Sequence, residues 1–299
     1  MNLQKKTMIT GCSGFIGTHL VRRLLDEGFQ VRGYDLNKSS IACPNFEFVQ
    51  GNILDMEKLR ESMDGCESVF HLAAQTSVPK ATKNPFHDFK ANAEGTFNVL
   101  LAAKELGARV IYTSTSTVYG LADIPTNESQ TLKPISFYGA SKAAGDLYCF
   151  AFYHTFGVDT VILRLYNVYG PGNRKGVMYD LFKKLERDPS HLEVIGTGLQ
   201  RKDYIYIEDT VDVLLVAHEK GASGEAYNVG SGISTTVNEI VKIILDILQL
   251  SPEIMYTGQS WKGDVVSAQA DISKFKNLGW SPKVSIEDGI RRTYEWIKD

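Results

Sequence analysis

Cysteine is scarce in this chain: four in 299 residues, at Cys12, Cys43, Cys66 and Cys149, with no CxxC pair and no histidine at ligand spacing. That scatter argues against a disulfide framework and against a zinc site, so reduced thiols and no bound metal are expected. No apolar run approaches the ~18 residues of a membrane span, and the first residues do not resemble a signal peptide. Neither sign of charge dominates. The 32 Lys and Arg against 35 Asp and Glu leave a net charge of −3, which gives no reason to expect nucleic acid or an anionic membrane as partner. Repeats, low-complexity tracts and long linkers are also missing. What remains is an ordinary globular composition, 43% hydrophobic and 22% charged, long enough for one large α/β domain or two smaller ones. A cytoplasmic enzyme or binding protein is the expectation.

Against that plain background one stretch stands out, Gly11-Cys12-Ser13-Gly14-Phe15-Ile16-Gly17. It follows a short strand pattern over Lys6 to Thr10. It precedes a helical stripe over Thr18 to Glu27 carried by Leu20, Val21, Leu24 and Leu25. Gln30 to Leu36 then reads as a second strand, which completes a βαβ unit. Glycines at such a turn let the backbone approach a pyrophosphate, and the helix N-terminus holds the anion. Asp35 closes the second strand 18 residues beyond Gly17, about where a ribose-binding carboxylate belongs. A carboxylate there accepts from a 2′-hydroxyl and repels a 2′-phosphate, so NAD is favoured over NADP.

The alternation continues through predicted strands at 46–50, 68–72, 109–113 and 160–165 and predicted helices at 56–63, 91–106 and 138–156. Strands alternating with helices predict a Rossmann-type, doubly wound parallel sheet covered on both faces. Beyond Gly170 the pattern loosens. Helices are predicted near 177–186, 209–219, 236–248 and 286–297, with a short strand at 193–195. The division expected is a dinucleotide-binding domain over 1–170 and a mainly substrate-binding lobe over 171–299, interleaved with the first.

Tyr138-Gly139-Ala140-Ser141-Lys142 supplies a candidate for chemistry. Residues i and i+4 meet on one helix face, and an ammonium near a phenol favours the phenolate, a general base for a hydroxyl. Read alone, Tyr138 is one of fourteen tyrosines and Lys142 a solvated charge.

With the glycine loop and YxxxK in one frame, the chain resembles the extended short-chain dehydrogenases/reductases, and among them the nucleotide-sugar epimerases and dehydratases. The resemblance runs through TGCSGFIG at 10–17, HLAAQ at 71–75, NAEGTFNVL at 92–100, STSTVYG at 114–120 and YGASK at 138–142. It continues in RLYNVYGPGNR at 164–174, KDYIYIED at 202–209, YNVGSG at 227–232 and LGWSP at 278–282. It implies Thr115, Tyr138 and Lys142 as the catalytic set, with Lys142 gripping the nicotinamide ribose and lowering the Tyr138 pKa. The cofactor would be held by Gly11, Ser13, Gly14, Phe15, Ile16, Gly17, Asp35 and Asn37. Asn52 and Ile53 would serve at the adenine, where the family usually has an Asp. Leu72, Ala73, Ala74, Gln75, Thr113 and Tyr166 would line the groove, and Asn92 would tie the active-site helix to its neighbour. For substrate the resemblance points to Ser77, Ser116, Thr117, Asn167, Val177, Lys202, Trp261 and Asp264, beside Thr115 and Tyr138. Lys202 stands for a family arginine, and Trp261-Lys262-Gly263-Asp264 replaces the family's RPGD, so the diphosphate grip is less directional.

The activity implied is an NAD-dependent 4-epimerase acting on a nucleoside-diphosphate sugar, a UDP-hexose first, through a 4-keto intermediate. Dehydratase relatives carry acidic residues directly after the catalytic threonine. Here Ser116 and Thr117 occupy those positions, which ranks the 4,6-dehydratase second. A 4-ketosugar reductase or a decarboxylase ranks third, and a dinucleotide-sensing protein without turnover last. Relatives pair through the 91–106 and 138–156 helices, so a homodimer is expected. Leu147 to Tyr153 is apolar nearly all the way round its helix, which agrees with burial on two sides.

Overall fold

The structure is a computed structural model and describes residues 6–258 and 265–299. The first half runs β1 (Lys6–Thr10), α1 (Phe15–Asp26), β2 (Gln30–Asp35), β3 (Phe46–Gln50), α2 (Met56–Met63), β4 (Ser68–His71), α3 (Val78–Lys83) and α4 (Pro85–Phe89). A π-helical turn over Lys90–Glu94 leads into α5 (Gly95–Leu106). Then come β5 (Arg109–Thr115), a 3₁₀ turn over Ser116–Tyr119, α6 (Phe137–Phe156) and β6 (Thr160–Leu165). The remainder holds β7 (Asn167–Tyr169), α7 (Val177–Arg187), β8 (His191–Val194), β9 (Arg201–Tyr206), α8 (Ile207–Lys220) and β10 (Glu225–Val229). It ends with β11 (Ser234–Thr236), α9 (Val237–Leu248), β12 (Glu253–Tyr256), α10 (Ser273–Lys276) and α11 (Ile286–Lys298).

Two compact units result: Met1–Leu121 with Glu128–Leu165 and Val211–Asn228, and Ala122–Asn127 with Tyr166–Thr210 and Val229–Asp299. The first is built on a seven-stranded sheet in the order β10-β6-β5-β4-β1-β2-β3, and the pairings from β3 through β6 are all parallel. This is the Rossmann-type α/β sheet expected. Strand order reverses between β1 and β4, and ligands of such sheets bind outside the carboxyl ends of the strands at that switch point. β4 and β6 are buried along their whole length because helices cover both faces. The second unit carries a three-stranded sheet, β11-β9-β7, and a parallel pair, β12-β8. Buried Asp203 organises it, accepting from the backbone of Ser231, Gly232 and Ala270 at 2.6, 2.9 and 3.0 Å.

Several elements depart from sequence expectation. α1 starts at Phe15 rather than Thr18, since Gly14 is extended and no side chain caps the helix ahead of it. The helix expected from Ala91 is one segment of a longer helical run broken by the π turn at Lys90–Glu94. Helix α6 starts from the Ser136 cap, whose hydroxyl accepts the Gly139 N–H at 3.1 Å, and stops at Gly157 with φ 70°. It lies close on β5 because Gly145 leaves room for the Tyr112 ring; a side chain there would strike the phenol. The apolar stretch of α6 has one buried side and one exposed side. Cys149 and Phe152 face the core, whereas Leu147, Tyr148 and Phe156 stay exposed beside Phe97 of α5.

Candidate active site

At the carboxyl end of β1 the chain turns through Gly11 and enters α1. A Cβ on Gly17 would run into the Gly11 carbonyl oxygen, so the first turn of α1 presses against the loop in a way only glycine permits. Because Gly14 offers no side-chain cap, the first amides of α1, around Phe15, Ile16 and Gly17, point out of the helix end without a side-chain acceptor. Such amides make a cradle that suits a pyrophosphate. Asp35, at the end of β2, is joined to the same loop. Its carboxylate accepts the Ser13 N–H at 3.0 Å and the Asn37 N–H at 2.9 Å, and the Ser13 hydroxyl donates to the Asn37 carbonyl at 2.8 Å. Each carboxylate oxygen keeps a lone pair for a ribose hydroxyl.

Further along, Asn52 is exposed, but its amide oxygen already accepts the Leu54 N–H at 3.0 Å. Ile53 is buried against the core. Leu72, Ala73, Ala74 and Gln75 leave the end of β4 half-buried, next to the glycine loop at the switch point. Thr113 is buried and donates to the His71 carbonyl at 3.0 Å.

Asn92 sits on the π turn, fully buried. Its side chain accepts the Gln75 N–H at 2.8 Å and donates to the Gln75 carbonyl at 2.9 Å and the Ser141 hydroxyl at 3.0 Å. It therefore fastens the β4 loop to α6 and stands behind the groove rather than on its surface. The Gln75 side chain is consumed too, by Asp88 at 2.7 Å and by both backbone groups of Ser77. Ser77 caps α3.

Thr115 ends β5, and its hydroxyl accepts from the Thr117 N–H at 3.3 Å and the Thr117 hydroxyl at 3.2 Å. Tyr138 comes from the first turn of α6 and hydrogen-bonds Thr115. Burial pushes the Tyr138 phenol up to about 12; the Thr115 bond works against this and the Asp88 charge adds to it. Lys142 is buried one turn on, its ammonium 4.2 Å from the centre of the Tyr112 ring. Burial pushes it down to about 8 against the pull of Asp146, Cys149 and Asp88. The ammonium rests on Tyr112, and desolvation governs the phenol.

Tyr166, Asn167, Val177 and Lys202 belong to the second unit. Tyr166 is buried, Asn167 donates to the Asp203 carbonyl at 2.9 Å, Val177 opens α7, and the Lys202 ammonium reaches the Val265 carbonyl. Trp261 and Asp264 lie outside the described residues.

Sequence reading missed a buried polar layer under the site. His71 bonds the Thr10 hydroxyl at 2.7 Å and the Thr96 hydroxyl at 3.0 Å, and burial pushes its imidazole down to about 3. Arg164 on β6 pairs with Asp146 on α6 at 2.8 Å, both buried. Asp88 on α4 is buried beside Gln75 and Asn92. His71, Arg164 and Asp146 all fall inside or next to the recognised motifs, the one signal that pointed to them.

The residues present fit a dinucleotide. The Gly17 cradle would take a pyrophosphate and Asp35 a ribose. The buried Lys142 ammonium, which lies over the Tyr112 ring, would suit a second ribose. Residues 7–230 match the NAD dependent epimerase/dehydratase family. The chain belongs to that family. It is 32% identical to the UDP-glucose 4-epimerase of Mycolicibacterium smegmatis, over 98% of this chain and 99% of that one. The UDP-glucose 4-epimerase of Thermotoga maritima, solved with UDP-glucose, superposes with a TM-score of 0.92 at 34% identity, covering 98% of each chain. A dTDP-glucose 4,6-dehydratase of Streptomyces venezuelae, solved with NAD, gives 0.89 at 30% identity, covering 98% of this chain and 97% of that one. This family member is accordingly an NAD-dependent nucleotide-sugar enzyme of the epimerase/dehydratase type. Among the described residues no helix is long and apolar enough to cross a membrane, and no cluster suits a metal ion.

Proposed function

We propose that the chain is a 4-epimerase of a nucleoside-diphosphate hexose, with a UDP-hexose as substrate, and that it acts through a 4-keto sugar. The observation that carries this reading is the meeting of Thr115 and Tyr138 at the end of β5, followed by Ser116 and Thr117, neither of which titrates usefully. Thr115 hydrogen-bonds the C4 oxygen and orients it. Tyr138 removes the hydroxyl proton, holds it through the keto stage and returns it to the same oxygen after the sugar has turned over. Lys142 supplies positive charge on the Tyr138 side and holds ribose hydroxyls. Bound NAD supplies a reversible hydride store, so net redox is zero. In this reading Gly11 to Gly17, Asp35, Asn37, the Leu72–Gln75 segment and Thr113 form the dinucleotide side. Ser77, Asn167, Val177 and Lys202 serve the nucleotide sugar. Two copies pair through α5 and α6.

A 4,6-dehydratase starts with the same oxidation, and the likeness to the Streptomyces enzyme favours it as the second reading. Elimination needs an acid and a base near C5 and C6, which Ser116 and Thr117 do not provide. Purified protein incubated with a panel of UDP- and dTDP-hexoses, without added cofactor, separates the two. Interconversion of C4 epimers supports the proposal; accumulation of a 4-keto-6-deoxy sugar replaces it with the dehydratase. No turnover on any sugar, with NAD bound, leaves a dinucleotide-sensing protein.

A further inference from the structure

Two buried carboxylates act on Lys142, each with one oxygen that lacks a hydrogen-bond partner among the described residues, and they differ in that one is ion-paired and the other is not. Asp146, one turn along α6, is ion-paired to Arg164 at 2.8 Å. Asp88, on α4, has 1% of its surface exposed and no ammonium, guanidinium or imidazole within salt-bridge distance among the described residues. Its Oδ1 accepts from Gln75 Nε2 at 2.7 Å and from Asn92 Nδ2 at 3.2 Å. Asn92 Nδ2 also reaches Ser141 Oγ at 3.0 Å, and that hydroxyl donates to the Tyr138 carbonyl at 3.0 Å. Asp88 Oδ2 is buried with no hydrogen-bond partner among the described residues. A buried carboxylate with half its acceptors idle is costly unless nearby positive charge or a proton compensates it.

We propose that Asp88 is a positioning residue for Tyr138: it locks the Gln75 loop to α6 through Gln75, Asn92 and Ser141 and sets a carboxylate that acts on Tyr138 and Lys142. This rests on Tyr138 being the base in the proposed reaction. The charge holds the proton on Tyr138 and on Lys142, raising the proton affinity of both. Tyr138 thereby becomes a stronger acceptor once ionised, and Lys142 stays an ammonium despite its burial. The other groups around the pair leave Asp88 as the unbalanced one. Tyr112 on β5 lies under the ammonium, and His71 on β4 stacks on Tyr112 at 5.7 Å and stays neutral. Cys149 on α6 has its thiol pushed well up by burial, and Asp146 is matched by Arg164. On the elements packed against α6, Lys80, Lys83 and His87 are exposed, and Lys90 turns onto the Phe86 ring at 5.3 Å.

Asp88→Asn separates charge from architecture. The amide oxygen still accepts from Gln75 and Asn92, and the amide nitrogen takes the place of Oδ2. Two readouts follow. One is the ultraviolet titration of Tyr138 in cofactor-free protein, isolated by subtracting the same titration of Tyr138→Phe protein made in the matching background. Its midpoint is expected to fall by about one unit, the low end for a single neighbouring charge. The other is the kcat–pH profile, whose two limbs are both expected to move to lower pH. An unchanged midpoint and unchanged limbs in folded Asp88→Asn protein would reduce Asp88 to a structural residue and overturn the proposal. If that variant does not fold, Asp88→Glu keeps the charge. The proposal then requires the parental midpoint, and a fall in that variant counts against it. Should Tyr138→Phe retain full turnover, the functional reading fails, while the titration still judges Asp88 independently.

Discussion

The Asp35 carboxylate accepts the Ser13 backbone N–H at 3.0 Å, so the acidic end of β2 is tied directly to the glycine loop. This bond fixes the carboxylate beside the position a ribose 2′-oxygen takes when a pyrophosphate sits on α1. A 2′-phosphate there would meet a like charge. Cofactor-free protein titrated with both dinucleotides should bind NAD more tightly than NADP, and Asp35→Asn, which removes the like charge, should narrow the difference by about tenfold or more, equivalent to ~1.4 kcal/mol per decade. Equal binding of the two by the parent protein would remove Asp35 as the selector.

Tyr138→Phe deletes one hydroxyl and leaves the α6 cap and the Asn92–Ser141 contact in place, because neither uses the phenol oxygen. Turnover should drop by ~10²–10⁴-fold, the range for losing a general base, with nucleotide-sugar affinity nearly unchanged. Thr115→Val should lower kcat as well, since Thr115 bonds Tyr138 and in the proposed reaction orients the C4 oxygen. Calorimetric affinity alongside steady-state kinetics checks both variants, and a near-normal kcat for Tyr138→Phe would exclude it from the proton transfer.

The parts of this site that sequence reveals are those whose chemistry is local in the chain. Gly11 to Gly17 and Asp35 announce themselves because a tight turn, a helix start and a strand end follow one another within one βαβ unit. Tyr138 and Lys142 do so because four residues span one helical turn. Spacing alone gives Asn92 no role, whereas the family resemblance implies the tie to α6 that its bond to Ser141 makes from the π turn at Lys90–Glu94. Asp88 falls on no motif; it matters because α4 brings it to Gln75 and Asn92, a tertiary fact that no spacing encodes. Which residues of the Leu147 to Tyr153 stretch face the core is likewise a tertiary matter: Phe152 lies 4% exposed against Phe97 of the adjoining helix, and Leu147 lies outside.

His71 makes acid stability testable. The Thr96 hydroxyl donates to the Asn92 carbonyl, so it accepts from His71 Nε2–H, and Nδ1 accepts from the Thr10 hydroxyl. Protonating Nδ1 would cost that bond and charge a buried ring. The folded-state pKa of about 3 lies below the ordinary 6.5, so between those values the unfolded chain binds more protons than the folded one. Stability is therefore complete above about 6.5 and declines as pH falls toward 3, by on the order of a few kcal/mol from this one ring. Ring ¹⁵N spectra should show one of the six histidines neutral, as the Nε2–H tautomer, down to pH 5. Titration of all six near pH 6.5 would contradict the buried, bonded ring.

The exposed side chains Phe97, Leu147, Tyr148 and Phe156 on α5 and α6 form the surface through which two copies are proposed to pair. Phe97 packs edge-on to Tyr148 at 5.2 Å, so the two helices present one continuous apolar strip. Apposing it with its own copy about a two-fold axis gives an isologous contact in which each residue meets its counterpart's surroundings. Burying such side chains stabilises association by ~1.5–3 kcal/mol each when fully covered. A charge placed on the strip must then be desolvated in the dimer but not in the folded monomer. Leu147→Glu, exposed at 59%, should shift light-scattering mass at micromolar concentration from twice 33.2 kDa to 33.2 kDa while the circular dichroism spectrum is kept. The substitution Phe152→Glu instead puts the charge into the core of a single chain and should unfold it. If the parent protein already runs at 33.2 kDa with full activity, the strip is an ordinary surface and pairing through α5 and α6 is ruled out.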